Sequence, residues 1–459
     1  MRVTGANRAS GRGRPGSGRP GKGWALGAVA IAAGAQAGPC LAQSAILPPV
    51  APALSPGGYA PPFTPVPEGV SVADRARPDY QPVGGRLGAF FLYPQLSANW
   101  GITDNVRAVD EQRIGDNYWD LQGGAQLVSG FSRHQLKLGG YAGRSFYQGH
   151  AGEDGTRYGG SLAARLDFAG QTSIDLTAAA EHLLLARDDY NSPYGAASPV
   201  RYDQLQVKLG ASRVFNRLTL RALGGVLGLT YHSPLSDTGA LIDQRYRSRT
   251  GYSVLMRADY ELQPGVSLVA RAVWDDQAYR LPASDPAQPG GLARSSVGWR
   301  AEGGLAFRLT GKLYGEARLG YMRRRYDDAR MLTAKGLSFG ADLAWNLDAR
   351  TSLRLTADRR VDETASITSA GARVSEFDLR VEHELARNLI LTAEGDYQRQ
   401  NPLGPDTPST EWRGEANARW LINRRLSAKV TYRHAQRACT DPAHAFRSNT
   451  GLVGVTLAF

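Results

Sequence analysis

The chain has 459 residues, of which 54 are glycine, 20 tyrosine, 12 phenylalanine, 4 methionine and 2 cysteine. Mean hydropathy is below zero, which excludes a bundle of membrane helices but not a membrane β-barrel, where only alternate residues face lipid. Two cysteines exclude a disulfide framework and a cysteine zinc site, and the +12 net charge is dispersed, with 8 Lys/Arg against 3 Asp/Glu in residues 1–85 and 46 against 39 in 86–459, so no basic tract of the nucleic-acid-binding kind exists.

Residues 1–23 carry six basic and no acidic side chains, and a short apolar run follows from Trp24 to Ala35. Small residues then offer cleavage after Ala37 or Ala42. This order predicts a secretory signal peptide over 1–42; the run is shorter than the ~20 residues a membrane helix needs. Gly38-Pro39 before Cys40 argues against a lipid-modified cysteine. Residues 43–85, from Leu47-Pro-Pro through Tyr59-Ala-Pro-Pro-Phe-Thr-Pro-Val-Pro67, predict a Pro-rich, disordered periplasmic lead.

From Arg86 onward the dominant signal is alternation. Val297–Leu309 sets Arg300, Glu302 and Arg308 against Val297, Trp299, Leu305, Phe307 and Leu309. Trp412–Ile422 and Leu426–Arg433 repeat the pattern, and no stretch sustains a 3.6-residue stripe. Short turns such as Phe215-Asn-Arg, Gln263-Pro-Gly and Asn423-Arg-Arg take turns with nine longer polar segments. That asymmetry belongs to outer-membrane barrels, whose long loops lie outside the cell. The last stretch, Thr450–Phe459, has one apolar face and ends on an aromatic. The expectation is an all-β chain: a single antiparallel transmembrane β-barrel over 86–459, with about 18 strands (16 as the alternative), located in the outer membrane.

The barrel's opening, Gly88-Ala-Phe-Phe-Leu-Tyr-Pro-Gln-Leu-Ser-Ala-Asn-Trp-Gly-Ile-Thr-Asp-Asn-Val106, resembles the putative β-barrel porin 2 family, in which an aromatic-Pro strand leads to a short Asp-Asn element. Phe131-Ser-Arg-His-Gln-Leu-Lys-Leu138, followed by Tyr147, is similar to that family's next hairpin. The resemblance implies a porin-like barrel without established catalytic residues, and it names no substrate.

If Trp, Leu and Val face lipid, the opposite parity faces the lumen. That places Arg300, Glu302, Arg308, Glu316, Arg318, Asp342, Arg354, Asp358, Arg380, Glu382, Arg413, Glu415, Arg419 and Arg433 as pore-lining, with Arg257, Arg271 and Glu394 among others of the same parity. Two readings stand: a wet pore whose charges steer polar or anionic solutes, and a salt-bridged interior without selectivity. Gly336-Leu-Ser-Phe-Gly340 matches a hydrolase pattern but sits in an alternating strand, with Ser338 inward, where no nucleophile elbow forms. The seven histidines show no metal-ligand spacing, although His182 and His383 break the apolar outward parity. Asp188-Asp189, Asp275-Asp276, Asp327-Asp328, Arg323-Arg-Arg325 and Arg245, Arg247 and Arg249 read as a solvated rim or as a site for cations or phosphates. Trp100, Trp119, Tyr147, Tyr231, Trp274, Tyr279, Tyr321, Trp345 and Trp420 fit aromatic girdles.

The functional expectation is a non-enzymatic, porin-like barrel for passive diffusion of small polar solutes or ions, with no catalytic, cofactor or metal residues. A barrel for export of a surface polysaccharide and a plugged structural or adhesive barrel are the alternatives. Expected partners are outer-membrane lipid and lipopolysaccharide, and the barrel-assembly machinery at the C-terminal strand; nucleic acid is not one.

Overall fold

The computed structural model describes residues 71–459 apart from 310, 367, 370, 442 and 443. The expected signal peptide and the lead up to residue 70 lie outside the described residues. A three-residue strand, β1 (Gly85–Leu87), precedes eighteen long ones. These are β2 (Phe90–Thr103), β3 (Asp116–Ser129), β4 (Gln135–Tyr147), β5 (Gly155–Phe168), β6 (Thr172–Leu184), β7 (Arg201–Phe215), β8 (Leu218–Tyr231), β9 (Arg249–Gln263) and β10 (Val266–Tyr279). The second half comprises β11 (Ser296–Arg308), β12 (Leu313–Tyr326), β13 (Ala334–Asn346), β14 (Thr351–Glu363), β15 (Gly371–Ala386), β16 (Leu389–Pro402), β17 (Ser409–Leu421), β18 (Leu426–Cys439) and β19 (Phe446–Ala458).

Each long strand pairs antiparallel with its sequence neighbours, and β19 closes onto β2 from Gln95↔Ala458 to Thr103↔Thr450. Closure leaves no unpaired edge among the eighteen, as a membrane-spanning sheet requires. At 13 residues or more, every long strand exceeds the ~9–11 needed to cross a bilayer. Their ends therefore project beyond the membrane. Two tight turns at the periplasmic end use left-handed backbone, at Asn216 (φ 51°) and Gly265 (φ 83°).

The outer face is the apolar one. Leu205, Leu209, Leu319, Trp412 and Val430 are all more than half exposed, a surface stable only in lipid. Trp119, Trp274 and Trp299 ring its extracellular side, and Trp345 and Trp420 its periplasmic side. Three expected girdle residues point the other way. Tyr147 packs on buried Tyr118, Tyr231 stacks on buried Tyr202, and the Tyr279 hydroxyl donates to Glu363 at 2.7 Å. At the extracellular strand ends an aromatic is equally well housed inside, beneath infolded loops.

The inner face carries small apolar islands rather than one core. Leu183, Leu185, Val200, Tyr202 and Leu229 form the largest, at the root of the loop that joins β6 to β7. Tyr118 lies over Gly101, where a Cβ would come within 2.4 Å of its ring, so the glycine makes the berth that the aromatic fills.

The expected disorder up to residue 85 is corrected for its last fifteen residues. Val72 is fully buried against Ile390 and Leu421, with Tyr80 packed alongside. Backbone N–H groups of Val72 and Ala73 donate to Ser352 Oγ and Glu382 Oε2, both at 2.8 Å. These four partners sit on the inner faces of β14 to β17 at their periplasmic ends, so the segment from residue 71 lies inside the periplasmic mouth. Buried apolar contact and satisfied amides hold it there, which proline content alone does not reveal.

Candidate functional site

Side chains on strands that do not pair can meet only across the lumen, and such contacts define its face. Arg257 on β9 reaches Glu316 on β12 at 2.7 Å. Arg300 on β11 reaches Asp358 on β14 at 3.2 Å. Ser338 on β13 donates to Glu302 on β11 at 2.6 Å. The serine of the hydrolase-like pattern is thus fully buried and spent on a carboxylate.

Around these contacts a belt of alternating charge runs from β8 to β15. Arg221 and Arg257 share Asp259, and Glu316 links Arg257 to Arg318. Glu302 takes Arg271 at 3.1 Å, Arg318 at 3.4 Å and Arg300 at 3.6 Å. Asp358 then joins Arg300 to Arg360, whose other partners are Asp362 and Glu376. Seven of the expected lining residues meet here or next to it: Arg300, Glu302, Glu316, Arg318 and Asp358 in the belt, and Arg354 beside it, bidentate to Asp342. The structure does not bring the others into it. Arg380 pairs with Glu394 at 2.5 Å and lies 3.9 Å from Glu382; Arg433 pairs with Glu415, and Arg413 with Glu411. Arg308 is exposed at the periplasmic end of β11.

The opposite wall is different. Lys137 on β4, Arg419 on β17 and Lys429 on β18 share the inward parity in the periplasmic half. Among the described residues, none of the three has a carboxylate within salt-bridge distance. Arg419 borders a cavity lined also by Tyr80, Gln126, Tyr141 and Glu181. Small residues at Gly124, Gly139, Gly140 and Gly160 line the same cavity and leave its wall thin.

Both mouths are narrowed. At the extracellular end, the segment between β6 and β7, residues 185–200, folds inward. Arg437 on β18 donates to the Asp188 carbonyl and lies over the Tyr190 ring, which stacks on His444 at 5.0 Å. Asn191 accepts from Arg247 at 3.1 Å through its carbonyl and from the Ala365 N–H at 2.7 Å through its side chain. Neither β18 nor Ala365, just past the end of β14, neighbours β6 or β7 in the sheet, so the segment crosses the mouth. Asp188, Asp189, Arg247 and Arg324 were expected on the solvated rim; all four are buried. Burial pushes the Asp189 carboxyl up to about 6. Arg324 joins Asp275 to Glu363. At the periplasmic end, the segment from residue 71 is pinned by Arg77, which reaches Glu384 at 2.8 Å, and by Arg424, which donates to the Pro78 carbonyl at 3.1 Å.

The scattered histidines contain one grouping that sequence spacing hid. His182 and His232 both reach Asp203, on the outer surface. Their separations of 21 and 29 residues are hairpin lengths, which become proximity only once the register is fixed.

Similar solved structures include the outer membrane protein OpdK from Pseudomonas aeruginosa, at 12% identity over 82% of this chain and 100% of that one, with a TM-score of 0.43. A BenF-like porin from Pseudomonas fluorescens Pf-5 matches at 13% identity over 82% and 100%, TM-score 0.44. OccK2 (OpdF) of Pseudomonas aeruginosa, solved in complex with glucuronate, matches at 12% over 80% and 97%, TM-score 0.44. No curated protein matches the sequence. The family model described as "Putative beta-barrel porin 2" matches residues 77–459. The chain belongs to that family. It is an outer-membrane β-barrel of porin type, with the fold of a channel rather than of an enzyme. The porin family's match begins at residue 77, within the segment docked in the periplasmic mouth.

Proposed function

We propose that this barrel conducts small, negatively charged polar solutes by diffusion through a lumen narrowed at both ends. The observation that carries this is the contrast between the two walls. The belt from β8 to β15 is largely neutralised by its own pairing, whereas Lys137, Arg419 and Lys429 face the lumen with no carboxylate within salt-bridge distance among the described residues. A narrow, partly desolvated passage amplifies such a surplus, because charges there are screened less than in bulk water. An anion entering the periplasmic half meets positive charge on one side and hydrogen-bonding Gln126 and Ser161 nearby, while the Tyr141 hydroxyl is held by Glu181. The polar wall substitutes for part of its hydration shell, and the abundance of sites keeps residence short. No bond is made or broken, and no catalytic role is assigned to any residue. Outward, lipopolysaccharide packs on the apolar face, and the assembly machinery engages the strand ending in Phe459.

Reversal potential of the refolded barrel in a planar bilayer under a potassium chloride gradient tests this reading. An anion-selective value is expected, and the joint substitution Arg419→Gln with Lys429→Gln moves it toward cations. Liposome swelling with sugars and sugar acids of equal size supplies the solute comparison. A barrel that inserts and stays electrically silent, or that prefers cations, overturns the proposal.

A further inference from the structure

We infer that His182, Asp203 and His232 form a binding site for a divalent transition metal, with Zn2+ as the representative ion, on the outer surface of the barrel at the level of the extracellular aromatic girdle.

The starting point is an anomaly of parity. Outward positions on β6 to β8 are apolar or small along most of their length, with Ile174, Leu205, Val207, Leu209, Leu220 and Val226 exposed. At the extracellular end that pattern breaks on adjacent strands. His182 lies directly opposite Asp203 in the β6–β7 register, and His232 follows the last residue of β8 on the same side of the sheet. Three side chains of metal-ligating type thus replace lipid-facing residues at one spot.

Their geometry converges. His182 Nδ1 lies 2.7 Å from Asp203 Oδ1, and His232 Nε2 lies 2.7 Å from Asp203 Oδ2. One ligand atom from each residue falls within 4.8 Å of the other two. Tetrahedral ligands around zinc stand roughly 3.3 Å apart, so small rotations of the exposed Asp203 and His232 side chains complete the approach. The His182 ring is already set, stacked on Tyr158 at 5.1 Å and 15°. A backbone bond from the His232 N–H to the Arg201 carbonyl, 2.9 Å, fixes the third ligand relative to β7.

The donor set selects the ion class. Two imidazoles and one carboxylate suit zinc and its neighbours in the first transition row, whereas calcium and magnesium take oxygen ligands throughout. Each neutral imidazole has only to carry its proton on the nitrogen that faces away from Asp203, leaving a lone pair toward the ion. Charge is favourable as well, since one carboxylate offsets half of the dication. Three protein ligands leave a fourth position to solvent, so the bound metal would hold water or an exchangeable anionic group from outside the cell. The site faces away from the lumen, so it is separate from the conduction route. Its effect on the barrel would be to clamp the ends of β6, β7 and β8 beneath the 185–200 and 232–248 segments.

The test uses the barrel carrying no histidine tag, folded in detergent, with Zn2+ as the probe in competition with a chromophoric chelator. One Zn2+ per barrel is expected. His182→Gln and His232→Gln each weaken it by more than about tenfold, while His434→Gln leaves it unchanged. Cobalt supplies a second readout, because visible absorption of a four-coordinate site appears with the unaltered barrel and not with the double variant. Heat-modifiable gel mobility confirms that each variant is folded. Equal zinc binding by the barrel and its double variant, or no binding by either, overturns the inference.

Discussion

Glu302 shows how much one side chain organises. It is buried, accepts from Ser338, and lies within 3.6 Å of three guanidinium groups from β10, β11 and β12. Removing one member of such a buried network typically costs roughly 3–5 kcal/mol, because the remaining charges lose their compensation. Glu302→Gln is therefore expected to lower the barrel's thermal transition and, by adding one net positive charge to the lumen, to shift the reversal potential further toward anions. Both are read on one preparation; an unchanged potential with an intact gel mobility would show that the belt lies outside the ion path. Asp189 makes a second case, outside the membrane. Its carboxyl stands at about 6 in the docked loop against 3.8 when free, so the docked state holds the proton more tightly. Docking is then strongest when both states are protonated and weakens as pH rises from below 3.8 through about 6, by at most about 3 kcal/mol. Low-conductance dwell times of the 185–200 segment should lengthen on acidification from about pH 6 to about pH 4, and Asp189→Asn should abolish that dependence.

Elements were legible where two chemistries alternate along a strand. Period two, with Trp, Leu and Val against Arg, Glu and Asp, points to the barrel and to an inward parity for Arg300, Glu302 and Arg433, while the nine long loops between short turns give about eighteen strands, the number the closed sheet has. Parity stops being informative at strand ends, where Tyr147, Tyr231 and Tyr279 are suited equally to a girdle outside and to a loop-covered mouth inside. It says nothing about pairing partners either. Arg257 finds Glu316 three strands away because the closed ring curves them together, and His182 finds His232 through hydrogen-bond register. Two inward apolar residues at the periplasmic ends of β16 and β17, Ile390 and Leu421, were the available signal for the docked segment, since something had to cover them. Val72→Asp tests that element. Losing apolar burial worth about 1.5–3 kcal/mol and placing a charge between Ile390 and Leu421 should release the segment and raise single-channel conductance. Conductance unchanged from the parent barrel would mean that the segment does not restrict flow.

At the scale of the whole molecule, stability rests on closure more than on a core. The inner apolar islands are small, and the charged belt is close to self-compensating, so the continuous ladder from β2 round to β19 carries the structure. Deleting residues 451–459 removes most of the β2–β19 pairing and exposes two edges to lipid, where each unsatisfied backbone group costs several kcal/mol. The expected outcome is loss of the heat-modifiable folded band rather than a modest destabilisation. A folded band of normal mobility would show that seventeen strands close by themselves.

The segment in the periplasmic mouth also sets a timetable. Val72 and Ala73 emerge early from the ribosome, yet their partners Ser352 and Glu382 lie 280 and 309 residues later in the chain. The berth on β14 to β17 does not exist until those strands have paired, and it takes its final curvature only when β19 meets β2. Docking of the segment therefore waits on strands made long after it, and the doorway stays open at least until β14 to β17 are in place.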